Sequence, residues 1–249
     1  MPSLRLLFRD PLVALMVLLS ATTGLVDAVS VLGLGKVFTA NMTGNVVFLG
    51  FAAVGVPGFD WTLYIAALAF FAIGAAFAGR LARYRAVHGR RRWLIHAALV
   101  EAGLLWISAG FAVGMTPTFS GAGVSWSGYA VIALSAAAMG SRNATARQLK
   151  VPDLTTTVLT LTITGLASDS RLAGGGSPNR ARRLTAVLAI LIGSMLGAAL
   201  LLSWGPVPPL LLAGATVLGA TLWLARDEDG NVTATAPTDA GESRGRMQT

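Results

Sequence analysis

The chain has 249 residues, 54% of them hydrophobic and only 12% charged, with 19 Lys and Arg against 11 Asp and Glu for a net charge of +8. Soluble domains carry about 25% charged residues, and too little polar sequence is present to cover so many apolar side chains, which all but excludes a soluble domain. Cysteine is absent, which excludes a disulfide framework, a thiolate nucleophile and a cysteine metal site.

The opening stretch, MPSLRLLFRDPLVALMVLLSATTGLVDA, sets Arg5 and Arg9 ahead of an apolar run, as a secretory signal does. The run is long for a signal core and more apolar segments follow, so the sequence predicts a retained first span over about 11–33. A second apolar segment, about 37–56, contains the polar cluster TANMTGN at 39–45. Further segments follow at about 61–82, 93–114, 126–148, 153–168, 184–204 and 206–225. Beyond Arg226 the sequence turns polar. The reading is one membrane domain over 1–228 and a disordered polar tail over 229–249.

Basic residues orient the segments. Arg5 and Arg9 precede the first; Arg80, Arg83, Arg85, Arg90, Arg91 and Arg92 separate the third from the fourth. Arg142, Arg147 and Lys150 fall between the fifth and sixth, and Arg171, Arg180, Arg182 and Arg183 between the sixth and seventh. The connections 57–60, 115–125 and 205–209 contain no Lys or Arg. If all eight segments crossed, the six-arginine connection would fall outside, against the positive-inside rule. If the second and sixth do not cross, every Arg-rich connection is cytoplasmic, as are both termini, and Lys36 is the one discordant charge. The predicted fold class is therefore an all-α polytopic membrane protein with about six full spans plus two interrupted or re-entrant segments.

Those two segments are also the polar ones. Thr39, Asn41, Thr43 and Asn45 alternate with Ala40, Met42 and Gly44, while Thr160, Thr162 and Thr164 alternate with Leu161, Ile163 and Gly165. A period of two suits extended chain, which is tolerated at membrane depth only where protein buries it or it lines a wet cavity. The two segments also sit in similar surroundings. Without gaps, Gly24 falls on Gly140, Asp27 on Asn143, Ala28 on Ala144, Phe38 on Leu154 and Thr39 on Thr155, and Gly74 and Gly79 resemble Gly193 and Ala198 at nearly the same offset. Half-repeats of about 1–120 and 121–228, each with an odd number of spans, would form an inverted internal repeat. In secondary transporters such repeats place the site on interrupted segments of both halves, here 39–45 with 155–164.

DAVSVLGLGKVFTANMTGNVVFLG, together with NATARQLKVPDLTTTVLTLTITGLA, resembles the YoaK-like family of bacterial membrane proteins over about residues 11–225. One departure is Ser141-Arg142, where a pair such as Met-Gln is expected before Asn143-Ala144. The resemblance implies a bacterial cytoplasmic (inner) membrane protein and supplies no substrate.

Asn and Thr offer donors and acceptors without charge, which makes Thr39, Asn41, Thr43, Asn45, Thr157, Thr160 and Thr164 candidate solute-binding residues. Hydrogen bonding between helices is the competing use. Asp27 and Glu101 are ionisable groups inside apolar segments, where charge is costly. Both are proton-coupling candidates, although Asp27 could equally cap the interrupted segment and Glu101 could be a neutral acid bonded between helices. Gly74, Ala78, Gly193 and Gly197 form small-xxx-small pairs suited to close helix packing. His96 and Glu101 are awkwardly spaced for one helix face, and His88 lies in a basic connection, so no metal or cofactor is expected. No phosphate loop, dinucleotide fingerprint or catalytic triad is apparent, and basic residues are not interleaved with aromatics as in nucleic-acid binders.

The expectation is a non-enzymatic transporter of a small polar solute or ion working by alternating access, with proton coupling through Glu101 or Asp27. Two alternatives stay open: a structural or regulatory membrane subunit, and a lipid-acting membrane enzyme. The expected partners are the lipid bilayer and a small polar solute or ion, with a homo-oligomer also open.

Overall fold

The computed structural model describes residues 11–117, 123–149, 159–170, 173–176 and 180–234. Within them the chain forms eight helices and no strand: α1 Pro11–Gly33, α2 Met42–Ala53, α3 Trp61–His88, α4 Arg90–Phe111, α5 Trp126–Leu149, α6 Leu159–Ser168, α7 Arg180–Trp204 and α8 Val207–Ala234. Five of these, α1, α3, α4, α7 and α8, are long and apolar enough to cross a bilayer. The sixth long helix, α5, has 24 residues, about 36 Å at 1.5 Å per residue, and is less apolar because Arg142, Asn143 and Arg147 lie in its last third. The final helix continues to Ala234, into the stretch expected to be a polar tail; residues 235–249 lie outside the described residues.

The remaining two helices are short. At 12 and 10 residues, α2 and α6 rise only about 18 and 15 Å, against about 30 Å of hydrocarbon. Their described residues are helical, which corrects the expectation of extended chain at 43–45 and 160–164. Alternating Thr and apolar residues do not make a strand without a sheet to join, and a helix satisfies its own backbone groups in an apolar setting.

Between α1 and α2 the chain reverses sharply. Gly35 and Lys36 have φ of 85° and 62°, and the Lys36 N–H donates to the Val31 carbonyl at 3.1 Å. This six-to-one closure is the Schellman ending of a helix. Residues 37–41 then lead into α2, and the chain comes back so that Lys36 Nζ lies 5.1 Å from the Phe59 ring centroid. Segment 37–58 thus leaves and returns at one end of the bundle, and the discordant Lys36 has an aromatic face to rest on. Phe48 continues this contact, 5.3 Å from Phe59 and 5.8 Å from Tyr64 between ring centroids.

Two helix crossings bring backbones together. A Cβ built on Gly74 of α3 would lie 2.0 Å from the Ala137 carbonyl oxygen of α5, and one on Gly140 of α5 would lie 2.0 Å from the Phe71 carbonyl oxygen of α3. In the second crossing, a Cβ on Gly193 of α7 would lie 1.9 Å from the Ala21 carbonyl oxygen of α1, and one on Gly24 of α1 would lie 2.2 Å from the Ile190 carbonyl oxygen of α7. Only glycine permits either approach.

The apolar core is split in two. One cluster gathers Leu34, Val37 and Ala40 with Leu63, Ala112, Val131 and Leu210, at the end carrying the uncharged connections. The other gathers Val13, Leu15, Trp93, Leu94, Ala146, Ala186 and Leu224, at the end where the Arg-rich connections meet. The charge asymmetry read from the sequence is therefore a spatial one.

Candidate functional site

Two polar centres lie within this bundle, joined through α1. The first fastens the helix break. Asp27, on the buried face of α1, accepts hydrogen bonds at Oδ1 from the main-chain N–H of Thr39 (3.2 Å) and Ala40 (3.0 Å). Its Oδ2 accepts from the Asn41 side-chain amide. Asn41 holds the N-cap position of α2 but makes no side-chain cap bond there; its amide is turned to Asp27 instead. Asn45 reaches back from the first turn of α2: its Oδ1 accepts from Phe38 N–H at 2.9 Å and its Nδ2 donates to the Phe38 carbonyl at 2.6 Å. Thr39 and Asn45 are both 0% exposed, whereas Thr43 points outward from α2.

The irregular backbone of residues 38–40 is thus satisfied by Asn45 at Phe38 and by Asp27 at Thr39 and Ala40, the demand an apolar environment makes of any helix break, while the Asn41 amide meets Asp27 and Thr39 Oγ1 donates to Ser30 Oγ at 3.5 Å. The Thr cluster of the other short segment lies elsewhere. Thr160 and Thr164 are exposed on α6, which packs on α7, while α2 packs on α3; Thr157 lies outside the described residues. Just past α6, Arg183 Nη1 donates to Asp169 Oδ2 at 2.6 Å, and this bond holds the Asp169 carboxyl below its usual range.

The second centre separates the two halves of the core. Glu101 of α4 and Arg142 of α5 are 5% and 2% exposed. Arg142 Nε donates to Glu101 Oε1 at 2.5 Å, and Nη2 pairs with the same oxygen. Nη1 donates to the Leu19 carbonyl at 2.9 Å and to Thr23 Oγ1 at 3.1 Å, both on α1. Thr23 Oγ1 in turn donates a hydrogen bond to Leu19 O at 3.0 Å. One guanidinium therefore bridges three long helices. Asp27 lies one helical turn beyond Thr23, about 6 Å along the axis.

Beside the pair lies a cavity of about 20 Å³, lined by Leu15, Leu19, Leu94, Glu101, Arg142 and Thr145 among others. A site needs about 10–15 Å³ of such volume to hold a water, so this one has room for one. Thr145 Oγ1 is buried there without a hydrogen-bond partner. No group of three or more His, Asp and Glu side chains that could hold a metal occurs among the described residues.

Of the residues singled out in the sequence, Glu101 lies in this centre and Asp27 in the first. Arg142 was missed as a site residue, having been counted with the connection that follows α5. Its signal was its place: seven residues before the helix ends at Leu149, too deep for a connection, with Glu101 at similar depth in the preceding span.

Long apolar helices around a buried ion pair, with a hydrogen-bonded helix break at one end, define a polytopic helical membrane protein. The chain belongs to the family described as "Protein of unknown function (DUF1275)", which it matches over residues 15–223. It is 31% identical over 167 residues to the UPF0700 transmembrane protein YoaK of Bacillus subtilis (strain 168), covering 65% of this chain and 67% of that protein. No solved structure matches it. The family resemblance read from the two sequence blocks is thereby met.

Proposed function

We propose that the chain is a small-solute permease of the bacterial cytoplasmic membrane, working by alternating access about the Glu101–Arg142 centre. The observation that carries this reading is the buried ion pair itself, held at mid-bundle by three spans beside a cavity. A charge at the bilayer centre costs about 2.5–3.5 kcal/mol on insertion scales, and apolar residues of similar volume are often no less stable than a buried pair. Packing alone gives no reason to keep it.

The packing also supports an inverted repeat. Gly24 and Gly140, equivalent in the sequence comparison, each face the partner helix of their own crossing, as do Gly74 and Gly193. Helix α1 meets α7 as α5 meets α3, so the halves 1–120 and 121–228 exchange helices. Each half then holds three long helices and one short one, an odd number of spans that inverts the second half. The Arg-rich end faces the cytoplasm by the positive-inside rule, with both termini on that side and α2 and α6 re-entrant from opposite faces.

Two single-cysteine variants test the reading. Thr145→Cys lies on the cavity at the Arg-rich end, and Ser108→Cys is buried on the other side of the pair. A permease exposes each to a membrane-impermeant thiol reagent from its own side, and cross-linking the bundle closed at one side raises reactivity at the other. A structural subunit leaves both unreactive from either side.

A further inference from the structure

Resting on the permease reading above, we propose that the solute is a small monocarboxylate or another planar monovalent oxyanion, carried with one proton, and that it takes the place of Glu101 on the Arg142 guanidinium. A guanidinium does not deprotonate in a protein, so the middle of this bundle holds a fixed positive charge in every state and needs an anion in every state. The charge is met here by Glu101. Any rearrangement that withdraws Glu101 must supply another anion.

The geometry says which edge of Arg142 that anion takes. Nη1 is anchored on α1 by Leu19 O and Thr23 Oγ1. The opposite edge, Nε with Nη2, presents two nearly parallel donors, the fork that binds a carboxylate through both oxygens. Glu101 meets both donors with one oxygen, Oε1, rather than with one oxygen each. A free carboxylate, not tethered to α4, could meet the two donors with one oxygen each. The cavity lined by Glu101 and Arg142 also holds Thr145 Oγ1, buried without a hydrogen-bond partner, and withdrawal of the Glu101 side chain enlarges it.

The charges balance. A proton from the aqueous phase adds to a Glu101 carboxylate oxygen, the contacts from Nε and Nη2 to Oε1 break, and the anion's two oxygens accept from Nε and Nη2. The centre is neutral before and after, as a low-dielectric site requires. A cation would meet the guanidinium charge and a dianion would leave a net charge.

The titratable groups on the helices packed around Glu101 are turned to other partners. Helix α1 presents Leu15 and Leu19 to the cavity, and α8 presents Val217 and Thr221. Asp27 is engaged by Thr39, Ala40 and Asn41. On α4 itself, the His96 ring nitrogen Nδ1 is bonded to the Arg92 carbonyl at 2.6 Å. Helix α3, packed on α4, carries only Arg80 and Arg83 among charged side chains described on it.

The test is the thermal unfolding midpoint of the full chain in detergent, titrated with sodium lactate and sodium nitrate at pH 5.5 and 7.5, with glucose and lysine as neutral and cationic controls at matched ionic strength. Nitrate does not titrate in this range, so its pH dependence reports on the protein. Both anions are expected to raise the midpoint, with apparent affinity weakening by up to about tenfold per pH unit. Glu101→Gln should bind them equally at both pH values, and the neutral double variant Glu101→Gln/Arg142→Gln should fold and not respond. If Glu101→Gln does not fold, the wild type against the double variant decides. Anion binding that is the same at both pH values, or that persists in the double variant, overturns the proposal. So does stabilisation by glucose or lysine alone, which leaves the permease reading intact. No response to any probe overturns this inference alone if Thr145→Cys and Ser108→Cys react as expected, and goes with the fall of the permease reading if they do not.

Discussion

At Asp27 one carboxylate satisfies donors from three successive residues, Thr39, Ala40 and Asn41. An acceptor-only group suits this place, because every neighbour that meets it is a donor. Asp27→Asn keeps Oδ1 as an acceptor but turns an amide towards the Asn41 amide, donor against donor. The expected outcome is a loss of about 1–3 kcal/mol, the cost of leaving a buried polar group unsatisfied, read from chemical or thermal unfolding in detergent. The swap Asp27→Asn/Asn41→Asp should recover most of it, by restoring one donor and one acceptor. A double variant no more stable than the single one would show that Asp27 does not hold the break through Asn41. For Asp27 the sequence left capping and proton carrying equally open; the structure shows it bonded to the backbone just ahead of α2, at Thr39 and Ala40. The Glu101 partner was not legible in the sequence. Arg142 sits among Ser141, Asn143 and Arg147 and reads locally as the polar end of a helix; only the tertiary approach of α4, α5 and α1 shows that its charge is enclosed.

At the scale of elements, the starts of the long helices could be placed from the sequence within a few residues because about 20 apolar residues admit little else, while α3 and α8 run on past the apolar stretch to His88 and Ala234. The short segments were harder. Their length and their position against the charge pattern marked them as interrupted, but a two-residue alternation suggested extended chain where α2 and α6 are helical. Alternation signals a strand only when a second strand can take its hydrogen bonds, and none forms among the described residues. Small residues in the long helices carried better information. Gly74 and Gly193 had been paired by spacing, and both touch a carbonyl on a crossing helix. Replacing either with Leu should cost at least the about 1–3 kcal/mol typical of overpacking, because the obstructing atom is backbone and cannot rotate away. Gly50 and Gly219 have open space where a Cβ would stand, so Gly→Ala at these two should cost nothing and gain up to about 0.5–1 kcal/mol of helix propensity. Folded yield and unfolding midpoint of the four variants check this. Equal losses at all four would mean that close crossing does not set their cost.

For the whole molecule, the decisive fact is that the connections sort by charge onto two ends. The chain enters α1 at the Arg-rich end, and Lys36 and Phe59 meet at the other, so α2 adds no crossing between them. From there α3 returns to the Arg-rich end, and α4 and α5 repeat the excursion. Since the chain contains no cysteine, single introduced thiols report this path without background. Pro57→Cys and Ser125→Cys, both exposed at the uncharged end, should label with an impermeant reagent on intact cells. Arg83→Cys and Gly176→Cys, exposed on the Arg-rich side, should label only after the membrane is opened. A protected Pro57→Cys with a labelled Arg83→Cys would mean that α2 crosses after all. The halves would then hold even numbers of spans, the second would not be inverted, and the exchange of α1 and α5 between crossings would reflect a parallel duplication. Glu101 and Arg142 would still face each other in that case, since their contact depends on α1, α4 and α5 alone. The orientation of the pair to the cytoplasm would reverse, and a proton loaded on Glu101 would come from the opposite side.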